Sequence, residues 1–230
     1  KMFAANLDGV LLMLAISPPY SPELLGRTLT ACKHAEVPLT ILFNKVDILE
    51  GDSETLEAVE QELFEITLGE VPTHYISVTE RPAETETLLR PLLEKKRTLI
   101  LGQSGMGKST LINLLIPGAL AATNEISMAL NAGKHTTTYT QMHFGEEGLE
   151  LIDSPGFQAF GLHHLSESDL LNAFTDIRDE GNKCRFANCQ HKREPDCAVK
   201  NGLEDGTLSP ARYALYQMLK AELQEASQSY

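Results

Sequence analysis

A glycine-rich segment near the middle of the chain carries the clearest chemical pattern. Residues 102–109 (GQSGMGKS, hereafter the phosphate loop) match the motif G-x-x-x-x-G-K-[ST]. They follow the apolar run 98–101 (TLIL) and precede a helical pattern over 108–115, which is the context that this motif requires. We therefore expect a nucleotide to bind here, with Ser109 also ligating Mg²⁺. The expected binding residues are Gly102, Gln103, Ser104, Gly105, Met106, Gly107, Lys108, Ser109 and Thr110.

The sequence Asn44-Lys45-Val46-Asp47 indicates which base is bound. It follows the predicted strand 40–43 (TILF), and open α/β sheets bind ligands at the carboxyl ends of their strands. The Asp47 carboxylate can accept hydrogen bonds from the N1–H and N2 amine of guanine, two donors that adenine lacks. Asn44 can hold the loop and approach N7, and the Lys45 stem can cover the face of the base. The motif therefore predicts GTP or GDP, and an ATPase is the weakest alternative.

Two further segments are candidates for contacts with Mg²⁺ and the γ-phosphate. Asp153-Ser154-Pro155-Gly156 follows another apolar strand, so we expect Asp153 to hold a Mg²⁺-bound water and the Gly156 N–H to meet the γ-phosphate. Residues 133–138 (GKHTTT) lie between this segment and the phosphate loop, where a switch loop would close on Mg²⁺. Thr136 and Thr137 are therefore candidate switch residues, with an ordinary strand edge as the alternative.

The order of these motifs is circularly permuted. In GTPases of the translational class the N-K-x-D motif comes last, whereas here residues 44–47 precede the phosphate loop. Such a rearrangement is tolerated when the original termini lie close together at the surface. Ser77, near the carboxyl end of the third predicted strand, is then the candidate for the element that braces the base. An ordinary strand serine is the alternative.

Three cysteines and one histidine lie within 14 residues near the end of the chain: Cys184, Cys189, His191 and Cys197 (hereafter the zinc cluster). Three thiolates and an imidazole complete a tetrahedral Zn²⁺ site with no open position. We therefore predict one structural zinc that stabilises a tail too small to form its own core. Reduced, unligated cysteines are the alternative.

Periodicity places these motifs on an alternation of strands and helices. Strands are predicted at 10–16, 40–43, 74–78, 98–101, 140–144 and 149–152, and helices from Ser21-Pro22, from Ser53 and over 108–115. A capping box at Ser166 predicts a helix to about residue 177, and a last helix runs over 210–226. These elements predict an α/β P-loop NTPase of the circularly permuted GTPase type, with a doubly wound sheet over 1–163 and a small α-helical zinc-binding domain over 164–230.

Composition excludes several classes of protein. The chain has 230 residues with a net charge of −13, which argues against a surface coated with nucleic-acid-binding charge. The longest apolar run has 7 residues, against roughly 20 for a membrane span, and no secretory signal is visible. We expect a monomer in a reducing, cytoplasmic compartment with no membrane partner.

Charge is unevenly distributed along the chain. Residues 50–70 contain eight acids and no Lys or Arg, which predicts a solvated face, with docking of a basic protein as the alternative. Residues 181–202 carry a local charge of +3.

The permuted order and the zinc spacing together resemble the RsgA (YjeQ) family of GTPases that depend on the small ribosomal subunit. The segments that carry the resemblance are AANLD near the start, NKVD, GQSGMGKST, GKHTTT, DSPGF, CRFANCQH, EPDCAVKNG and RYALY. Met106 stands where the family more often has Val, and Val78 where it more often has Ala. The family usually has an N-terminal OB-fold before this point, so the resemblance implies that the RNA-binding surface extends beyond this sequence.

The resemblance implies a GTP hydrolase that acts in late maturation of the small ribosomal subunit, is stimulated by that subunit, and contacts its rRNA through the zinc tail. The alternatives are a nucleotide-gated rRNA-binding module and a permuted GTPase acting on another ribosomal particle. Phe157 follows Gly156 where many GTPases place a water-orienting Gln, which predicts slow intrinsic hydrolysis. Our hypothesis is that His135 positions the attacking water, with a loop-anchoring role as the alternative.

Overall fold

The computed structural model describes residues 6–119, 140–154, 161–162 and 164–228. In these ranges the predicted strand segments form one sheet, with β1 (Gly9–Ala15), β2 (Leu39–Asn44), β3 (Thr73–Ile76), β4 (Arg97–Leu101), β5 (Gln141–Phe144) and β6 (Glu150–Asp153). The strand order is β3-β2-β1-β4-β6-β5. Neighbouring strands are parallel except β5 and β6, which form an antiparallel hairpin. The predicted, mostly parallel α/β sheet is confirmed.

The continuous apolar sequence of β1 follows from its central place in the sheet. β1 pairs with β2 on one side and with β4 on the other, so that Leu12 lies in register with both Ile41 and Leu101. Residues 10–15 of this strand are all buried. A strand that is covered on both faces must be apolar at every position instead of at alternate ones.

The described helices begin and end at recognisable signals. They are α1 (Pro22–Ala35), α2 (Ser53–Thr67), α3 (Pro82–Leu93), α4 (Lys108–Leu115), α5 (Glu167–Ala173), α6 (Thr175–Gly181), α7 (Ala198–Glu204) and α8 (Pro210–Gln228). The Ser21 hydroxyl accepts a hydrogen bond from the Leu24 N–H at 3.2 Å, which caps α1. Ser166 and Asp169 form the capping box predicted for α5. None of these helices is long and apolar enough to cross a membrane.

The chain divides into two compact units. The first contains Lys1–Tyr20, Val37–Leu56 and Val71–Ala159, and it includes the sheet. Its core packs the buried side of α3 and α4 against one face of the sheet, through residues such as Leu89, Ile112 and Leu42. Met106 of the phosphate loop is completely buried in the same core, so the loop is anchored by packing as well as by its backbone.

The second unit contains Ser21–Glu36, Glu57–Glu70 and Phe160–Tyr230. Helices α1 and α8 approach closely at Gly26, where a Cβ would lie 2.7 Å from the Leu219 Cδ1 atom and 3.0 Å from Leu215 Cδ2. The guanidinium of Arg212, on α8, is almost fully buried and donates to Asp176 Oδ1 at 2.9 Å, to Ala173 O at 3.0 Å and to Ile66 O. One buried cation therefore joins α8 to α2 and to the start of α6.

Two features of the helices differ from the sequence prediction. The helix expected from Ser166 to about 177 breaks at Phe174, which is fully buried with φ −112° and ψ 62°. The break leaves the Ala173 carbonyl to Arg212, whose guanidinium also lies 4.6 Å from the centre of the Phe174 ring. Helices α3 and α7 were not predicted, and α3 continues through Pro91, a residue that in a sequence indicates a helix end.

Replacing Arg212 by Met is expected to lower the free energy of unfolding by about 3–5 kcal/mol, because it leaves the Asp176 carboxylate and two carbonyls without their buried donor. Urea denaturation followed by circular dichroism measures this loss. Arg178→Met is the matched control, since that side chain is 39% exposed and contacts the exposed Asp179, and it should change stability by less than about 0.5 kcal/mol. Equal stability of the two variants would contradict the bracing role of Arg212.

Candidate functional site

Three of the predicted nucleotide motifs converge at one edge of the sheet in the first unit. The phosphate loop follows β4, Asn44 ends β2, and Asp153 ends β6. These strands are parallel to one another or to β1 between them, so their carboxyl ends share an edge. The structure therefore brings together residues that are more than 100 positions apart in sequence.

The backbone of the phosphate loop requires glycine at two positions. Gly102 has φ +147°, and a Cβ there would lie 2.6 Å from the Met13 carbonyl oxygen of β1. Gly107 has φ +101°, and a Cβ there would collide with the Asn44 side-chain amide. These two glycines let the loop lie directly against the strand ends, so that its backbone can approach a phosphate.

Lys108 begins α4 and is folded over the phosphate loop. Its ammonium donates to Gly102 O at 2.7 Å and to Gln103 O at 3.0 Å. Burial lowers the pKa of this ammonium, and the nearby Asp153 carboxylate acts in the opposite direction. The lysine is thus held at the loop by its carbonyls, while Ser104, Ser109 and Thr110 are exposed beside it.

Asp153 is the residue whose surroundings fit a magnesium-bound water. Its carboxylate is buried, and within the described ranges the Oδ1 atom has no hydrogen-bond partner. Burial raises the pKa of Asp153, and Lys108 and His143 act to lower it. A buried carboxylate oxygen without a donor is costly unless a bound group satisfies it. Ser109 and Asp153 therefore fit a divalent cation, which Ser109 would ligate directly and Asp153 through water.

The Asn44 side chain forms hydrogen bonds with two other segments of the site. Its buried amide donates to Met106 O at 2.9 Å, and its carbonyl oxygen accepts from the Val78 N–H at 3.0 Å. One side chain thus ties the phosphate loop to the segment that follows β3. The hydrogen bonds support the loop-holding role that was predicted for Asn44.

Asp47 and Ser77 meet in the structure, although 30 residues separate them. The buried Ser77 hydroxyl donates to Asp47 Oδ1 and accepts from the Glu80 N–H at 3.3 Å. The Lys45 ammonium donates to Ser17 O at 2.6 Å, which extends its stem along the site. Ser77 therefore orients the carboxylate that was predicted to read guanine.

The zinc cluster is assembled in the second unit. The ligand atoms of Cys184, Cys189, His191 and Cys197 all lie within 4.8 Å of one another. The Sγ atoms of Cys184 and Cys197 are 3.8 Å apart, and the edge of a tetrahedron with Zn–S bonds of about 2.3 Å has a length of about 3.8 Å. His191 Nδ1 lies 3.6 Å and 3.5 Å from these two sulfurs. The donor set fits Zn²⁺, with Nδ1 as the imidazole ligand.

The loop between His191 and Cys197 is held by Glu194, which the sequence analysis did not single out. Its carboxylate accepts hydrogen bonds from the N–H groups of Gln190 at 2.8 Å, Lys192 at 2.9 Å and Arg193 at 2.9 Å. These backbone donors lower the pKa of Glu194 to about 2. A carboxylate between two predicted ligands was the signal available in the sequence.

His143 on β5 is a second residue that sequence reasoning missed. It is buried, and its Nε2 atom has no hydrogen-bond partner in the part of the chain that the structure describes. Burial lowers the pKa of His143, and the neighbouring Asp153 raises it. No motif or spacing in the sequence marked this histidine.

Four predicted site residues lie outside the described residues: the switch residues His135, Thr136 and Thr137, and also Gly156.

Comparison with known proteins agrees with this arrangement. The sequence model of the RsgA GTPase family matches residues 1–163. "Small ribosomal subunit biogenesis GTPase RsgA" of Burkholderia mallei (strain SAVP1) is 46% identical over 228 residues, which cover 99% of this chain and 70% of that protein. The protein of the same name from Paraburkholderia phytofirmans is 46% identical over 236 residues, or 72% of its length.

Two solved structures resemble the fold. YjeQ from Thermotoga maritima matches with a TM-score of 0.69 and 27% identity, over 95% of this chain and 72% of the other. YloQ, described as a circularly permuted GTPase, matches with a TM-score of 0.68 and 26% identity, over 96% of this chain and 69% of the other. The chain belongs to the RsgA family of circularly permuted GTPases.

Proposed function

We propose that this GTPase acts as a late maturation factor of the small ribosomal subunit and that the subunit stimulates its hydrolysis of GTP. The contact between Asp47 and Ser77 carries the assignment of guanine, because it aims a carboxylate from the end of β2 and fixes its orientation. The names of the relatives, small ribosomal subunit biogenesis GTPases, support the ribosomal part of the proposal.

In the proposed domain organisation, residues 1–163 form a GTPase domain and residues 164–230 form a helical zinc-binding domain. The family model supports this boundary, since it ends at residue 163, whereas the second compact unit also contains Ser21–Glu36 and Glu57–Glu70. All four residues of the zinc cluster follow the boundary. One Zn²⁺ per chain would stabilise the second domain, and Mg²⁺ would accompany GTP or GDP in the first.

In the proposed mechanism, the chain mainly positions the nucleotide and stabilises the charge that develops on it. The phosphate loop binds the β- and γ-phosphates, and Lys108 moves from its loop carbonyls to their oxygens. Ser109 and, through a water, Asp153 would hold Mg²⁺, which would neutralise charge on the phosphates. Thr136 or Thr137 and the Gly156 N–H are the proposed contacts with Mg²⁺ and the γ-phosphate. Because phosphoryl transfer requires little covalent chemistry from a protein, positioning by these groups is the main contribution.

We further propose that the C-terminal zinc-binding region, residues 164–230, contacts rRNA. Arg185 and Phe186 lie together at its surface, with the guanidinium 5.5 Å from the ring centre and with Phe186 40% exposed. Lys192 and Arg193 are exposed on the same loop. An aromatic ring beside cations is the combination that stacks on bases and binds phosphates.

The decisive experiment measures GTP hydrolysis by the chain alone and with purified small ribosomal subunits. ATP and large subunits are the controls. We expect stimulation that requires both GTP and small subunits. Equal stimulation by large subunits would assign the enzyme to another particle. Hydrolysis that no ribosomal particle changes, in this chain and in a form with the relatives' additional length, would reject the ribosomal proposal.

Replacing His135 by Ala is expected to lower small-subunit-stimulated turnover by about 10²-fold or more, because general acid–base and water-positioning groups contribute on that scale. GTP affinity should stay unchanged, which a fluorescent nucleotide titration checks. His164→Ala is the matched control, since His164 lies outside the proposed site. Full stimulated turnover in His135→Ala would leave His135 with a loop-anchoring role only.

The setting proposed for this activity is the cytoplasm, where ribosomal subunits mature, with the protein acting as a monomer and without a membrane partner. Sedimentation of the purified chain tests the oligomeric state. A dimer at micromolar concentration would contradict that part of the proposal.

A further inference from the structure

The outer side of α2 carries an aromatic side chain that the fold does not bury. Phe64 is 60% exposed and Leu68, one residue beyond the helix, is 37% exposed. Spacings of three and four residues align them with Glu57, Glu60 and Gln61, which are also exposed. We call these five residues the Phe64 face. The opposite side of the same helix buries Val59, Leu63 and Ile66, so the helix does not need Phe64 for its own packing.

The Phe64 ring is held in place although it is exposed. Gly69 has φ +68°, and a Cβ there would lie 2.6 Å from the ring atom Cε2. The Gly69 N–H also donates to Phe64 O at 3.1 Å, which closes the turn at the end of α2. A ring packed against a closed turn has already lost much of its rotamer freedom. Binding to such a ring therefore costs less ordering entropy than binding to a free side chain.

Within the part of the chain that the structure describes, the two carboxylates of the face have no cationic partner. Across the described residues, no Lys, Arg or His forms an ion pair with Glu57 or Glu60. Other acids of this unit are matched, as Glu222 is with Arg27 at 2.9 Å and Glu70 is with Lys33 at 3.6 Å. Glu57 and Glu60 are also three residues apart on one helix side, where like charges repel.

We propose that the Phe64 face is a docking surface for a basic protein segment, one that offers an apolar side chain to Phe64 and Leu68 and Lys or Arg side chains to Glu57 and Glu60. Charge complementarity selects this occupant. Phosphates of RNA and anionic membranes would be repelled by the same carboxylates, and a second copy docked symmetrically would place acids against acids. The partner that we expect is a protein of the small ribosomal subunit, and only this choice of partner rests on the proposed function.

The first test uses the photo-crosslinker p-benzoylphenylalanine in place of Phe64. The protein is incubated with purified small subunits and a non-hydrolysable GTP analogue, irradiated, and analysed by mass spectrometry. We expect a crosslink to a Lys- and Arg-rich segment of one ribosomal protein. When the protein binds the subunits, crosslinks to rRNA alone, crosslinks within the chain or to a second copy alone, or no crosslink would overturn the proposal.

The second test measures the affinity for small subunits by co-sedimentation. Phe64→Ala should weaken binding about tenfold, as expected for a central aromatic anchor, and the double change Glu57→Gln, Glu60→Gln should weaken it at low salt and remove part of the salt dependence. Met218→Ala is the matched control, since Met218 is also exposed, at 49%, on a helix of the same unit. Wild-type affinity in both face variants would overturn the proposal.

A third arm separates this proposal from the proposed function. If the wild-type protein does not bind small subunits at all, the proposed function fails. The crosslinking experiment is then repeated with free proteins extracted from small subunits and separated from rRNA. A crosslink from position 64 to a basic segment in that mixture supports the docking surface, and its absence overturns it.

Discussion

Replacing Asp47 by asparagine is expected to lower the affinity for GTP and GDP by about 10²- to 10³-fold. The carboxylate would accept two hydrogen bonds from guanine, and charge-assisted hydrogen bonds contribute about 1.5–3 kcal/mol each. An amide keeps the shape of the side chain but replaces one acceptor by a donor, so it faces a guanine donor with another donor. Titration with a fluorescent guanine nucleotide measures the loss.

Xanthosine triphosphate distinguishes a changed specificity from a damaged fold. Xanthine carries a carbonyl oxygen where guanine carries the N2 amine, so the amide of Asp47→Asn can donate to it. The variant should therefore bind the xanthine nucleotide better than the wild-type protein does. Asp52→Asn is the matched control, because Asp52 is exposed and its carboxylate accepts hydrogen bonds from the neighbouring Thr55 at 2.7 Å and 3.1 Å. If Asp47→Asn retained its GTP affinity, Asp47 would not read the base.

Ser77 should contribute to the same specificity by a smaller amount. It does not need to touch the nucleotide to do so, since its hydroxyl fixes the orientation of the Asp47 carboxylate. This dependence explains why a buried serine beyond the end of β3 belongs to the site, and why its role is recognised only through its partner.

Removing a zinc ligand is the second change with a large expected effect. Cys197→Ala should abolish the binding of one Zn²⁺ per chain, because the remaining three ligands leave the tetrahedron open. Structural zinc sites in small domains contribute about 10–16 kcal/mol of apparent binding energy at neutral pH, and that energy is coupled to folding. We therefore expect residues 184–204 to lose their ordered structure and to become sensitive to proteases. Metal analysis and limited proteolysis measure the two effects.

Two controls limit the interpretation of the zinc experiment. Cys32→Ala removes a cysteine of α1 that lies outside the zinc cluster. This cysteine is buried, and burial raises the pKa of its thiol to about 12. The variant should therefore keep its full zinc content. Guanine nucleotide binding should persist in Cys197→Ala, since the nucleotide motifs lie in the other unit. A full zinc equivalent in Cys197→Ala would show that the cluster is not the metal site.

The sequence alone was sufficient for the parts of the protein whose chemistry is local. The phosphate loop requires a fixed spacing of glycines, lysine and serine between a strand and a helix, and all of these residues lie within one short segment, 102–109. The four zinc-cluster residues lie within 14 positions, and they come together as expected. The buried strands could also be predicted from local sequence. A strand that is covered on both faces is apolar at every position, so it appears as a continuous apolar run.

The tertiary structure decided the features that depend on distant partners. The helix after Ser166 breaks at Phe174, where Arg212, 38 positions later, donates to the Ala173 carbonyl and lies over the Phe174 ring. Asn44 holds the phosphate loop because β2 and the loop after β4 end at the same edge of the sheet. No window of sequence contains both members of these pairs. Sequence therefore determined which groups could do the chemistry, while the packing of strands and helices determined which of them meet, because hydrogen bonds and burial depend on distance in space and not on distance along the chain.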